Sequence, residues 1–207
     1  LAMKYGGALV NDSPFTLHGN YRELFTSNVL PSDEVIWGRT CNEELGVAHK
    51  VTYKYCSTTS SKLYGPTKDY VMMFLGSDGN PLPSGEISVT QEFTGRDKRL
   101  TACVLGPGQK MQDASGAYVD FTPNFTWTTT GYIWIKWVVP EYSPMNEGGT
   151  DKSLNSVPVL RLGEAMLNYA EAAEELGMLT QDIWDKTIGQ LRKVHGGISS
   201  SPFPGSG

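Results

Sequence analysis

The fold is decided between residues 157 and 172, which read VPVLRLGEAMLNYAEA. Apolar side chains recur there, and just beyond, on one helical stripe made of Leu162, Met166, Tyr169, Ala173 and Leu176. Pro158 stands where the first turn of a helix tolerates a missing N–H donor. Gly177 is a residue type that commonly ends a helix. The stretch therefore predicts an amphipathic helix over residues 158–176.

A second helix is predicted over residues 180–195, with Thr180 as its N-cap and Gly196-Gly197 at its end. Because only a few residues separate the two helices, we expect them to pack as an antiparallel pair. The side chains that we expect to be buried in this pair are Leu162, Met166, Tyr169, Ile188 and Leu191. The arrangement is that of a tetratricopeptide-type unit, although the full repeat signature is absent.

Upstream of the helical pair, the sequence predicts short elements separated by loops. They are a helix end at residues 1–10, an extended piece at 34–37, a short helix at 68–75 and a strand at 132–139. Thr67 is placed to cap the short helix. Polar residues predominate between 40 and 64, which predicts a long loop.

Composition excludes some classes of function. The net charge is −5 and no Lys/Arg cluster is long enough to follow a phosphate backbone, so nucleic acid is not expected as a partner. The longest apolar run, around residues 137–139, is too short to span a bilayer. The chain contains 10 Tyr and 5 Trp. This excess fits either an aromatic core or a binding surface built from flat rings.

A search for catalytic and metal-binding patterns predicts no catalytic residue, no metal site and no cofactor. The histidines, His18, His49 and His195, stand outside known metal and nucleophile motifs, and His195 is favourably placed at a helix C-terminus. Adjacent glutamates such as Glu174-Glu175 point about 100° apart on a helix and cannot face each other across a cleft. Among the cysteines, a Cys41–Cys56 bridge and three buried thiols, the third being Cys103, remain alternatives.

Two blocks, taken together and in order, carry a resemblance to a known family. The first is Gly95-Arg96-Asp97-Lys98-Arg99-Leu100, preceded by Phe93, and the second is the helix-forming stretch from Pro158 to Ala172. They resemble the F-x-x-R-D-P-R-L and P-x-x-R-x-x-E-x-x-L-N-Y-A-E-A motifs of the SusD/RagB family of outer-membrane nutrient-binding lipoproteins. With the flanking blocks, the resemblance covers residues 2–196. It departs from the family pattern at Lys98, where Pro is usual, at Gly189 and at Val194.

The resemblance implies a fold that is mainly α, with long loops, a small β-hairpin region and tetratricopeptide-like helical hairpins of the SusD type. It divides the chain into a loop-rich subdomain at 1–156, a helical hairpin at 157–196 and a mobile tail at 197–207. The hairpin is expected to pack on an N-terminal tetratricopeptide-like region that the chain lacks. The chain does not start with Met, so we expect a piece of a longer protein.

The same resemblance implies a non-catalytic protein on the outward-facing surface of the outer membrane. Family members are held there by a lipid on an N-terminal cysteine, a role that none of the three cysteines here has. They deliver a nutrient to a SusC-type TonB-dependent transporter. A glycan is the expected ligand, with a peptide, as in RagB-like members, as the alternative. A helical-repeat scaffold that binds another protein is a further alternative.

Family members often contact ligand through aromatic residues of variable loops, and the corresponding loop here spans residues 38–64. We therefore predict Tyr53, Tyr55 and Tyr64 as ligand-binding residues. The alternative is that these rings are apolar anchors that hold a long loop against the body of the protein. Asp97 and Arg99 are predicted to have a structural role, because closely spaced charges in a turn usually anchor backbone groups or pair locally.

Overall fold

A computed structural model describes residues 1–56, 64–83, 85–112, 117–120, 125, 127–140, 142 and 151–199. The helices in these ranges are α1 (Ala2–Asp12), α2 (Glu23–Thr26), α3 (Val51–Cys56), α4 (Lys68–Met72), α5 (Val89–Phe93), α6 (Lys98–Cys103), α7 (Leu162–Glu175), α8 (Gln181–Trp184) and α9 (Gln190–Val194). A π-helical turn, Asp185–Gly189, joins α8 to α9. The strands are β1 (Val35–Arg39), β2 (Lys110–Gln112), β3 (Tyr118–Asp120) and β4 (Val157–Arg161). The fold is helix-rich with long loops, as predicted.

The strands form two separate antiparallel pairs. Strands β2 and β3 make the small hairpin, with Met111 opposite Val119. Strands β1 and β4 are far apart in sequence, and Val35 pairs with Arg161. The extended piece predicted around 34–37 is thereby confirmed as part of β1.

The prediction that Pro158 opens a helix is wrong, because Pro158 lies in β4 opposite Gly38. Helix α7 begins only at Leu162. Pairing with β1 keeps residues 157–161 extended. Proline is tolerated in that position because β4 is an edge strand, which need not donate on its open side.

The C-terminal helices form the predicted pair, with α7 packed against α8, the π-helical turn and α9. Leu162, Met166 and Leu191 are buried, whereas Tyr169 and Ile188 are half-buried. The Tyr169 side chain instead faces α1, where an added Cβ on Gly6 would come within 3.0 Å of Tyr169 Cβ.

The predicted stop of α7 at Gly177 and the predicted cap of α8 at Thr180 are confirmed. Gly177 adopts a φ of +63°, which favours glycine, and the Thr180 hydroxyl accepts a hydrogen bond from the Ile183 N–H. Leu176 was placed on the buried stripe, but it follows the last residue of α7 and is 62% exposed.

The strand predicted at Tyr132–Val139 is also wrong. The segment makes one isolated bridge, from Val104 to Trp134, and has no regular partner strand among the described residues. Its alternation is still used in packing. Ile133 and Ile135 enter one apolar cluster with Leu105, Met111 and Val138, while Tyr132 and Trp134 pack in another around Leu100 and Val104.

Of the loop predicted from 40 to 64, the structure describes residues 40–56 and 64, and these are irregular except for α3, which the sequence did not predict. The loop is held at its start by pairing of Asn42 with Val47 and of His49 with Ser153. Cys41 and Cys103 carry free, buried thiols, and the side chain of Cys56 lies outside the described residues. Residues 200–207 of the predicted tail lie outside them too, but Ile198 is buried and the Ser199 N–H donates to Ser77 O.

Candidate functional site

A buried carboxylate, Glu34, is the centre of a polar cluster that joins four distant parts of the chain. One Glu34 oxygen accepts from Arg161 Nη1 at 2.6 Å. The other accepts from the His18 backbone N–H at 2.8 Å and lies 2.9 Å from His195 Nε2. The Leu162 N–H also donates to the Glu34 carbonyl oxygen at 3.0 Å. We call Glu34, His195, Arg161 and the His18 amide the Glu34 hub.

The electrostatics of the Glu34 hub are those of a structural ion-pair network. Burial alone would raise the pKa of Glu34, but the hydrogen bond and charge of His195, the His18 amide and the Arg161 charge together hold that pKa below its ordinary value. Glu34 and His195 are 0% and 3% exposed, so neither reaches solvent or a ligand. Sequence analysis placed His195 correctly at a helix end but missed its partner, which is 161 residues away.

Asp97 and Arg99 have the structural role predicted for them. The buried Asp97 carboxylate accepts from the Arg99 backbone N–H at 2.9 Å and caps α6. The Arg99 guanidinium also donates to this carboxylate, with Nε 3.0 Å from Asp97 Oδ1. The neighbouring Arg96 is buried and donates to the carbonyl oxygens of Leu75, Glu92, Val71 and Phe74. This motif therefore fastens α4, α5 and α6 together.

The structure does not place the three predicted tyrosines on one surface. Tyr53 and Tyr55 both lie on α3, where residues two apart point about 200° from each other. Tyr55 is half-buried and packs against the cluster of Leu105, Met111 and Val138. Tyr55 thus anchors the loop, as the alternative interpretation held, and Tyr53 is half-buried on another side of the helix.

Tyr64 differs from the other two because it is 87% exposed. An added Cβ on the next residue, Gly65, would lie 2.4 Å from Thr130 Oγ1 and from Tyr132 O, so the chain is pressed against that segment. Pro66 is buried and has a restricted φ. The Thr67 hydroxyl then accepts from the Tyr70 N–H at 3.1 Å and caps α4, as predicted.

A charged pair begins four residues after this tyrosine, at the start of α4. Lys68 is half-exposed, and its Nζ is 3.3 Å from the carboxylate of Glu92. Glu92 is buried and also accepts from the Tyr132 hydroxyl at 2.5 Å. We call Tyr64, Lys68 and Glu92 the Tyr64 platform. Sequence analysis missed Lys68 and Glu92, although the Thr67 cap already placed Lys68 at the start of a helix beside Tyr64.

Neither a metal site nor a membrane-spanning helix is found among the described residues. No group of three or more His, Cys, Asp or Glu side chains among them is placed to hold a metal ion. No helix in the described ranges has the length and apolar character needed to cross a membrane.

Comparison with known proteins places this geometry in a family. The model of the SusD family matches residues 33–195. A SusD-like carbohydrate binding protein from Bacteroides fragilis superposes with a TM-score of 0.76 at 21% identity, covering 98% of this chain and 42% of its own. A second SusD-like protein from the same species superposes with a TM-score of 0.68 at 16% identity, covering 99% and 44%.

A more distant solved structure adds a ligand complex to the comparison. Surface glycan-binding protein A from Bacteroides thetaiotaomicron, in complex with laminarihexaose, superposes with a TM-score of 0.53 at 13% identity, covering 99% of this chain and 44% of its own. The chain therefore spans less than half the length of these solved relatives. Comparison with curated proteins found no match.

Proposed function

This chain belongs to the SusD family, and from that premise we propose that it is part of a non-catalytic surface protein that binds a carbohydrate. The names of two solved structures that share its fold support the ligand class. One is a carbohydrate binding protein, and the other is a glycan-binding protein solved with laminarihexaose. Both are under 25% identical to this chain, so the ligand itself has to be argued from the residues here.

The observation that carries the proposal is the exposed ring of Tyr64, which precedes a closely packed backbone segment. A sugar ring offers C–H groups that stack on an aromatic face and hydroxyls that need polar partners. Tyr64 is 87% exposed, yet Gly65, Pro66 and the Thr67 cap fix the backbone on which it stands. Because the backbone that follows the ring is already held in place, less of its conformational entropy is lost when ligand binds.

The Tyr64 platform also supplies hydrogen-bonding groups for the same sugar. The half-exposed Lys68 ammonium donates, and its contact with the buried Glu92 restrains it near the surface. We assign the largest contribution to Tyr64, a smaller contact to the half-buried Tyr53, and an indirect role to Tyr55, which holds the loop. This division refines the prediction that all three tyrosines contact ligand.

The description of the protein as non-catalytic is supported by how the buried carboxylates are used. Glycoside hydrolysis needs two carboxyl groups on opposite sides of a scissile bond. Glu34 and Glu92 are both buried, and their oxygens are engaged by Arg161 and His195 or by Lys68 and Tyr132. These groups are committed to the fold.

We further propose, on the strength of family membership, that the whole protein is lipid-anchored on the outward face of the outer membrane. There it would pass its ligand to a SusC-type TonB-dependent transporter. Co-purification of the whole protein with such a transporter from solubilised outer membranes tests the partner. Recovery of the protein in the soluble periplasmic fraction, with no transporter bound, would contradict this part of the proposal.

Binding is tested by calorimetry and affinity gels with laminarihexaose, oligosaccharides of other linkages and short peptides. Replacing Tyr53, Tyr55 and Tyr64 together by Ala should weaken carbohydrate binding at least tenfold, about 1.4 kcal/mol. Tyr64→Ala alone, which keeps the Tyr55 anchor of the loop, should account for most of that loss with the fold retained. The control is Tyr5→Ala with Tyr118→Ala, since both residues are also exposed, at 59% and 60%, and lie elsewhere in the chain.

The outcomes separate the parts of the proposal. A folded triple variant that binds like the wild type would show that the site is elsewhere, while family membership stands. Binding of peptides but of no oligosaccharide would favour the RagB-like alternative. Release of shorter sugars from any of these oligosaccharides would show that the protein is an enzyme.

A further inference from the structure

His18 lies between two carboxylates, one on each side of its ring. Its Nδ1 is 3.0 Å and 2.8 Å from the two oxygens of Asp33, in the turn before β1. Its Nε2 is 3.1 Å from one Glu23 oxygen at the start of α2, and Asn20 donates to the other Glu23 oxygen at 2.8 Å. Within the described ranges, one further charged group faces His18, which is Glu34 at its backbone N–H.

These contacts require a positively charged ring. An ionised carboxylate only accepts hydrogen bonds, and a neutral imidazole carries a single N–H. A neutral His18 would therefore leave either Asp33 or Glu23 without its donor, and only the doubly protonated ring donates to both. Burial lowers the pKa of His18, but the hydrogen bonds and charges of Asp33 and Glu23 raise that pKa above its ordinary value of 6.5.

His49 has the opposite arrangement. Its Nε2 is 2.8 Å from the Asn155 carbonyl oxygen, which can only accept, and its Nδ1 accepts from the Val51 N–H at 3.2 Å. One donor and one acceptor are what a neutral imidazole offers. The contacts of His49 therefore need one ring proton, whereas those of His18 need two.

The segment that His18 fastens lines an apolar pocket. Residues 15–17 line this pocket, of about 470 Å³, together with apolar side chains of α1 and α7. The Thr16 N–H donates to the Asp33 carbonyl oxygen at 2.8 Å, so Asp33 holds the segment through both its backbone and its carboxylate. Loss of the ring contacts would leave the segment with fewer attachments beside the pocket.

We propose that His18 is a pH-sensitive latch, which holds residues 15–18 in place at this pocket while its ring is charged and releases them when the ring becomes neutral. The ring binds its second proton more tightly in the closed segment than it would in an open one. The stability that the latch contributes is therefore fully present below about pH 6.5 and is lost as the pH rises through the higher pKa of the closed form. The inference does not depend on carbohydrate binding.

Two measurements on the full chain test the latch between about pH 5 and about pH 9, the range in which histidine titrates. NMR of the imidazole C–H resonances gives the titration midpoint of His18. Hydrogen exchange gives the protection of the Thr16 and His18 amides, after correction for the intrinsic effect of pH on exchange. Protection should fall as the pH passes the midpoint, by about tenfold for each unit by which the midpoint exceeds 6.5. The paired amides of His49 and Ser153 should stay protected.

The variant Glu23→Gln is designed to keep the latch closed when the ring is neutral. Its amide oxygen can still accept from Asn20, and its amide N–H can donate to Nε2 of a neutral His18, whose Nδ1–H then donates to Asp33. Protection of the two amides should then no longer fall as the pH rises. Glu44→Gln removes the same charge at an exposed position elsewhere, and it should keep the wild-type fall.

Three results would overturn the proposal. A His18 midpoint at or below 6.5 would show that the two carboxylates do not hold the second proton. Constant protection across the midpoint in the wild type would show that the ring charge does not hold the segment. An equal fall in Glu23→Gln and the wild type would show that the loss comes from groups other than the contacts of His18.

Discussion

The Glu34 hub and the Tyr64 platform both combine charged and aromatic side chains, but they use them in opposite ways. In the hub, a 0% exposed carboxylate meets a guanidinium, an imidazole and a backbone amide, and the Tyr21 ring lies 5.0 Å from the imidazole of His195. In the platform, only Glu92 is buried, while Lys68 and Tyr64 remain open to solvent. Exposure, and not residue type, separates the part that holds the fold from the part that is free to bind.

The difference predicts which measurement each region controls. A buried charge that loses its partner leaves an unsolvated group behind, so changes in the hub should lower stability. The exposed ring of Tyr64 has no such partner, so its replacement should lower affinity while the fold survives. A hub variant that lowers affinity without lowering stability, or a Tyr64 variant that lowers stability, would contradict this distinction.

The largest effect is expected from Glu34→Ala, which leaves Arg161 and His195 without their acceptor. Loss of one partner from a buried ion pair costs about 3–5 kcal/mol, and we expect that cost in the free energy of unfolding measured in urea. Glu43→Ala is the matched control, because Glu43 is exposed and should change stability by less than about 0.5 kcal/mol. Equal stability of the two variants would show that the hub contributes little.

Protonation of the Glu34 carboxylate should also make the free energy of unfolding depend on pH. The change should be no larger than the loss expected for Glu34→Ala. Because the folded-state pKa of Glu34 lies below its ordinary value of 4.5, its contribution is fully present above about pH 4.5. It is lost as the pH falls through the lower pKa of the folded state. Urea midpoints measured from pH 7 to pH 3 should therefore decline more steeply for the wild type than for Glu34→Gln. An equal decline of the urea midpoint in both proteins would show that groups other than Glu34 make the protein sensitive to acid.

A smaller loss of stability is expected from Asp97→Ala. The variant removes the acceptor for the Arg99 amide and side chain, at a cost of roughly 1–3 kcal/mol, because the group lies in a buried turn. Carbohydrate affinity of the folded protein should not change. Asp69→Ala, at an exposed position in the first turn of α4, is the control. Reduced affinity at an unchanged melting temperature would instead place Asp97 at the ligand site.

The sequence predicted what depends on local rules. Helix α7, the Thr67 and Thr180 caps and the stop at Gly177 follow from side-chain spacing and backbone preference, and all are present. The Asp97–Arg99 pair lies within three residues, so it too could be predicted. The order of the two family motifs pointed to the family that the comparison with known proteins identifies.

Contacts between distant residues could not be predicted in this way. Pro158 suits both a first helical turn and an edge strand, and only its pairing with β1 decides between them. The partner of His195 is Glu34, and that contact exists only once β4 lies against β1. The tyrosines were predicted by region, so the burial of Tyr55 against Leu105 and Met111 was outside what the sequence shows.

The smallest loss of stability is expected from Thr67→Ala, a change that should also affect ligand binding. Loss of this N-cap should reduce stability by about 1 kcal/mol, because the Tyr70 N–H loses its acceptor at the start of α4. If Tyr64 binds carbohydrate because its backbone is held in place, the looser cap should also weaken affinity, though by less than Tyr64→Ala does. Thr180→Ala removes an equivalent cap from α8 and is the control: it should cost similar stability and leave affinity unchanged. Calorimetry on Thr67→Ala, Tyr64→Ala and Thr180→Ala measures the affinities. Equal affinities of Thr67→Ala and the wild type would show that ordering of the Tyr64 backbone does not contribute to binding.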